Sequence, residues 1–148
     1  MTWIYREEFN PDDYYGFVYR ITNLKTGMQY IGRKYFSLSG YAKINGKRKK
    51  IRKESDWKDY WSSSDTLKAD VKKIGEEHFK REILRLCKTR TECAYYETKY
   101  IFEYDVLLND GWYNNWVSCK ITRMHAQSFL KEKVKPVKKN GDNKKKRT

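Results

Sequence analysis

GFVYRIT at residues 16–22, NLKTG at 23–27 and MQYIG at 28–32 are the stretch on which the fold turns. The outer segments alternate as strands do, and Gly27 ends the loop between them with a residue free to take positive φ. Paired as a hairpin, they bring Tyr19 and Tyr30 within side-chain reach of each other. Two adjacent phenols can position or deprotonate a water. Tyrosine is also a good strand former, and on the hairpin alone simple packing accounts for both rings.

Outward from the hairpin, composition narrows the choices. The 148 residues suit one domain with a single core, and 33 Lys and Arg against 19 Asp and Glu leave a net charge of +14. A surface so basic favours a polyanion, with nucleic acid ahead of an anionic membrane. No apolar run approaches a membrane span and no signal-peptide pattern opens the chain, so a cytoplasmic protein is expected. Cys87, Cys93 and Cys119 are odd in number and form no C-x-x-C pair. They read as reduced, packed thiols rather than zinc ligands.

The charge is concentrated in two places. Residues 131–147 carry nine cations against Glu132 and Asp142, half of the net charge. With little to bury, this tail is expected to be disordered, and it serves either salt-sensitive attraction to phosphates or solubility. Residues 43–53 hold Lys43, Lys47, Arg48, Lys49, Lys50, Arg52 and Lys53 with no acid, around the tight-turn signal Asn45-Gly46. That block predicts a cationic arm or hairpin suited to a phosphate backbone or groove. Tyr35, Phe36, Tyr41, Trp57, Tyr60 and Trp61 lie near it and are available to stack on bases or to pack the core.

Beyond the arm, Ser64 and Asp65 open a helix whose apolar positions Leu67, Val71 and Ile74 end at Gly75. Phe79 to Leu86 reads as a third strand. Thr89 and Glu92 have capping-box spacing and begin a longer helix to about Leu108, closed by Asp110-Gly111. A short last helix is expected over 120–131. The order predicts an α+β domain, a small three-stranded antiparallel sheet flanked by helices. Its expected limits are 16–119 with the arm at 41–54, between an N-terminal extension (1–15) and a basic C-terminal extension (120–148).

On the long helix, Cys93, Glu97, Tyr100, Ile101, Tyr104 and Leu108 recur at helical spacing on one face. Glu97 therefore stands in an apolar stripe, where a carboxylate is costly unless a cation, a metal or several donors pair with it. A salt bridge to a nearby Lys or Arg satisfies that need. So does a hard divalent ion, which prefers oxygen ligands and can bind a phosphate oxygen.

Together these elements resemble the GIY-YIG nuclease family. Phe17-Val18-Tyr19 matches its first motif element and Tyr30-Ile31-Gly32 its second. Residues 62–75 and 79–84 resemble the family's second helix and third strand. Glu97 opens an E-x-x-aromatic-Ile pattern like that of the metal-binding glutamate, and Tyr113-Asn114 is similar to the late Tyr-Asn element. The resemblance covers about residues 16–116 and extends to small phage-encoded members.

The resemblance implies hydrolysis of a DNA phosphodiester with one divalent ion, magnesium or manganese. Glu97 would be the metal ligand, Tyr19 the general base on a water, and Tyr30 a holder of water or phosphate. Asn114 would support the site by hydrogen bonding, and Gly32 would allow close backbone approach. Two departures stand out: Phe17 replaces the family's usual glycine, and Gly40 falls near the expected catalytic arginine. Arg33 and Arg52 lead as replacements, with Arg48 and the point charge of Lys34 behind them. Lys34, Lys43, Lys47, Arg48, Lys49, Lys50 and Lys53 are expected to bind nucleic acid. The rival is a non-catalytic nucleic-acid-binding protein that keeps the nuclease fold. Homing, restriction, repair and attack on competing genomes stay open at this point, as do RNA as target and a monomer or homodimer.

Overall fold

The computed structural model describes residues 2–117 and 123–125. Cys119, the basic tail beyond 131 and most of the expected helix at 120–131 lie outside the described residues. In chain order the elements are β1 (Gly16–Asn23), β2 (Gln29–Tyr35), β3 (Ser37–Ile44), β4 (Lys47–Glu54), α1 (Asp65–Ile74), β5 (Phe79–Cys87) and α2 (Arg90–Glu103), with short 3-10 turns between some of them. β1, β2 and β5 form an antiparallel sheet in the order β2-β1-β5. The protein is thus α+β, as the sequence predicts.

β1 is the middle strand because both its faces have something to bury. Phe17, Tyr19 and Ile21 join Leu67 and Val71 of α1, Phe79 and Trp57 in one core. Val18 turns the other way, into a second core with Ile31 of β2, Cys87 of β5 and Cys93 and Ile101 of α2. The sheet is therefore sandwiched between two helical layers. Burying each large apolar side chain in these layers stabilises the fold by roughly 1.5–3 kcal/mol. Trp3 caps the first core, with its ring centroid 5.0 Å from Phe17 and 5.1 Å from Tyr19. Ile4 bridges in parallel to Glu82 on β5, so the start of the chain is bound to the sheet.

Local signals set the helix starts. The Ser64 hydroxyl accepts from the Leu67 N–H, and the Thr89 hydroxyl accepts from the Glu92 N–H. The Glu92 carboxylate reaches back to the Lys88 N–H at 3.2 Å. The end of α2 corrects the sequence expectation. The helix stops at Glu103, Asp105 takes a left-handed backbone with φ 49°, and Val106–Leu108 is a separate 3-10 turn. Leu108 consequently leaves the apolar stripe and is 83% exposed. Apolar spacing had carried the helix on, but spacing cannot register a backbone break that leaves the next residues in phase.

The cationic block forms its own two-stranded ribbon. β3 and β4 pair from Ser37↔Glu54 to Ile44↔Lys47. Asn45 and Gly46, at φ 51° and 76°, make the two-residue turn that matches strand twist. The ribbon leaves the sheet directly after β2 and begins at Ser37, ahead of the arm expected at 41.

Candidate active site

A cleft of about 580 Å³ opens beside β2, the edge strand where the two layers meet. Tyr19, Tyr30, Arg33, Glu97 and Asn114 all line it. Tyr30 packs with the α1-side core, whereas Ile31 belongs to the α2 side. By alternation Arg33 follows Ile31 toward α2, where it meets Glu97. Side chains from both faces thus converge around one edge. Of the described residues lining the cleft, Arg33 is the cation.

Register explains the glycine between the two tyrosines. Tyr19 pairs with Gly32, and Tyr30 with Ile21, so the phenols are diagonal neighbours with ring centroids 6.2 Å apart. The Tyr19 ring lies across Gly32. A Cβ at position 32 would overlap the Tyr19 hydroxyl and sit 2.8 Å from Tyr30 Cε1.

Tyr19 is 1% exposed. Burial, followed by the nearby Tyr30, Tyr60 and Glu97, pushes its phenol well above the ordinary tyrosine value. At neutral pH the Tyr19 hydroxyl is therefore protonated and enters any reaction as a phenol. Tyr30 is also raised by burial, against a hydrogen bond with Ser63 at 3.3 Å that opposes the shift.

Glu97 and Arg33 form the charged wall. Arg33 Nη1 stands 3.7 Å from Glu97 Oε2, and the two side chains are 31% and 20% exposed. Desolvation raises the Glu97 carboxyl above its usual range, and Arg33 offsets only part of that rise. The separation is longer than the 2.7–2.9 Å of a close charge-assisted hydrogen bond. A costly, incompletely compensated carboxylate fits a place for a further cation. No group of three or more His, Cys, Asp or Glu that could hold a metal occurs among the described residues. A magnesium-like ion suits such a place, since it keeps several waters and takes one or two carboxylates plus substrate phosphate.

Asn114 acts on the backbone. Its Oδ1 accepts from the Ile31 N–H at 3.0 Å and its Nδ2 donates to the Ile31 carbonyl at 2.8 Å. It thereby pins the strand that carries Tyr30, Gly32 and Arg33, and occupies polar groups on the free edge of β2. Tyr113 secures the same corner. Its hydroxyl donates to Asp70 Oδ2 of α1 at 2.7 Å and accepts from Asn23 Nδ2 at 3.1 Å. Asn23 in turn accepts from the Lys25 and Thr26 N–H groups of the hairpin turn.

Other expected site residues stand apart. Arg52 lines a separate cavity with Phe36 and Trp57, and its guanidinium donates to the Ser37 hydroxyl at 2.5 Å. It does not share the cleft, because it belongs to the ribbon rather than to the sheet. Lys34 is 15% exposed and reaches Asp56 at 2.6 Å, with its Nζ 4.0 Å from the Tyr60 ring centroid. Lys34 is thus engaged inside the fold, unlike the exposed Lys43, Lys47, Arg48, Lys49, Lys50 and Lys53 of the ribbon. Tyr60 is the residue that sequence reasoning missed. Its ring stands edge-on to that of Tyr19 at a centroid separation of 6.2 Å, and burial raises its phenol less than that of Tyr19. In the sequence it is one aromatic among several near the arm, and only the chain path brings it to Tyr19.

A three-stranded antiparallel sheet between helical layers thus carries two tyrosines, an arginine and a desolvated glutamate around one cleft. The family model described as "Putative endonuclease segE, GIY-YIG domain" matches residues 3–117, and the chain belongs to that GIY-YIG family. The match begins at Trp3, the residue that packs on Tyr19. No curated protein and no solved structure matches. Among the described residues no helix is long and apolar enough to cross a membrane.

Proposed function

We propose that the chain is a divalent-metal-dependent DNA endonuclease that hydrolyses phosphodiesters in the Tyr19–Glu97 cleft. The observation that carries this reading is the convergence of a buried phenol and a desolvated carboxylate on one opening, with Arg33 between the layers. Glu97 would hold magnesium or manganese, which when bound supplies charge stabilisation to the phosphorane and the leaving oxygen. Arg33, with its planar fork, is the group to neutralise a non-bridging phosphate oxygen. It is favoured over Arg52 because it lines the cleft.

Tyr19 serves as general base through a relay. Held as a phenol by burial, it would accept the proton of the attacking water as it passes its own to the adjacent Tyr60, whose ring packs edge-on against it and which is partly exposed and would deliver a proton to solvent. Tyr30 holds the water or phosphate, and Asn114 keeps β2 in place. The ribbon cations and the tail draw in DNA. The small phage-encoded resemblance favours a role in homing or competition between genomes inside a host cell.

The test is incubation with supercoiled plasmid and magnesium. The wild type should nick the DNA, EDTA should stop it, and Glu97→Ala and Tyr19→Phe should bind without nicking. Binding with no nicking by the wild type would instead leave a nucleic-acid-binding protein that keeps the nuclease fold.

A further inference from the structure

The two faces of the ribbon are chemically unlike, and the register sorts its residues without ambiguity. Directly opposed residues of an antiparallel pair share a face. Ser37 pairs with Glu54 at the base of the ribbon, Ser39 with Arg52, Tyr41 with Lys50 and Lys43 with Arg48 on one face. Leu38 pairs with Lys53, Gly40 with Ile51, Ala42 with Lys49 and Ile44 with Lys47 on the other. Both ribbon arginines, its tyrosine and its serines therefore lie together. The reverse carries its aliphatic residues, with lysines as the sole charges. Contacts agree with this sorting: the Arg48 guanidinium lies over the Tyr41 ring at 4.2 Å, and Arg52 reaches Ser37.

From this asymmetry the geometry points to the Tyr41–Arg48–Lys50 face as a base-reading surface that lies in the major groove of duplex DNA. The inference rests on the proposed action on DNA and adds which surface recognises it and how. Eight-residue strands extend roughly 26 Å from the sheet at about 3.3 Å per residue. A two-stranded ribbon fits the major groove, whose width is about 12 Å. An arginine fork matches guanine O6 and N7, and Arg48 is already held flat by Tyr41, so little side-chain freedom remains to be lost on binding. The aliphatic reverse has no hydrogen bonds to offer base edges. Its lysines face away from the groove floor and add only diffuse attraction.

Two charge-matched double variants of the full chain test this: Arg48→Ala with Lys50→Ala, and Lys47→Ala with Lys49→Ala. Binding is measured by fluorescence anisotropy in EDTA, so the result is independent of whether the protein cuts. The probes are a guanine-containing duplex, the same duplex with 7-deazaguanine, and an RNA duplex of the same sequence. Far-ultraviolet circular dichroism confirms folding.

The wild type should lose affinity on 7-deaza substitution, and the first variant should bind unmodified duplex roughly 5- to 150-fold more weakly, the range of one bidentate base contact. It should also become indifferent to the substitution. The second variant should keep the 7-deaza response. Arg48→Lys, which retains charge without the fork, should lose that response while keeping most salt-dependent affinity. Insensitivity of the wild type to 7-deazaguanine, a larger loss from the second variant than the first, or preference for the RNA duplex would each overturn the inference. Failure to nick plasmid with these binding results intact would count against the catalytic reading alone.

Discussion

Replacing Gly32 by alanine adds one methyl group where the site has least room for it. The new Cβ would overlap the Tyr19 hydroxyl, come within 2.5 Å of Tyr19 Cζ and lie 2.8 Å from Tyr30 Cε1. The Tyr19 ring has nowhere to withdraw, since Trp3, Phe17, Tyr30 and Tyr60 surround it at centroid separations of 5.1–6.2 Å. Overpacking of a filled core costs about 1–3 kcal/mol. At roughly 2–4 °C per kcal/mol for a chain of this size, Tm should fall by roughly 2–12 °C. Because the displaced group is the proposed base, cleavage should fall by about 10²-fold as well.

The internal control is Gly40→Ala, where a Cβ meets nothing within 4 Å. That variant should stay within about 0.5 kcal/mol of wild type. Differential scanning calorimetry and a plasmid assay read both variants. Adding Tyr19→Phe to Gly32→Ala removes the atom struck first, so the double variant should recover part of the lost Tm, a coupling of about 0.5–3 kcal/mol. If Gly32→Ala melts and cuts like Gly40→Ala, the Tyr19 ring is not seated on Gly32 and the geometry given for the base is wrong.

Four further outcomes follow from the same contacts. Glu97→Gln should abolish cleavage yet stabilise the protein without divalent ions near neutral pH. Its carboxyl is held above the ordinary 4.5, so wild-type stability from this group is full below that value and lost as pH rises through the folded one. The gap between the two should therefore shrink from pH 8 to pH 4 in thermal melts, and a gap that widens would reverse the sign. Asn114→Ala strips partners from both Ile31 backbone groups and should cost about 1–3 kcal/mol, read as a lower urea midpoint with unchanged slope. Tyr60→Phe should lower kcat by up to about 10²-fold while leaving DNA affinity unchanged, and equal activity would remove it from the relay. Arg33→Ala should lower kcat by roughly 10²–10³-fold, and Arg52→Ala should leave kcat unchanged.

Much of the scaffold could be read from local chemistry. The Ser64 and Thr89 caps, the Gly75 stop and the Asn45-Gly46 turn depend on residues close in sequence, so a single chain displays them. The site is legible in a different degree. Tyr19, Tyr30, Glu97 and Asn114 stand out by motif, and the fold brings all four to one cleft. Which of Arg33 and Arg52 lines the cleft depends on the length of β2. Once that strand runs to Tyr35, alternation sends Arg33 to the α2 side, while Arg52 falls on a separate ribbon. Lys34 and Tyr60 show the limit most clearly. Their contact with each other, with Asp56 and with Tyr19 joins segments that carry no mutual spacing signal.

A structure of the wild-type protein with duplex DNA and a divalent ion would test the proposed chemistry most directly. A scissile phosphate should lie in the cleft, with magnesium about 2.0–2.1 Å from a Glu97 oxygen, Arg33 on a non-bridging oxygen and the Tyr19 hydroxyl facing phosphorus. DNA held only along the ribbon and Arg52, with Glu97 still paired to Arg33 and no ion beside it, would contradict that chemistry.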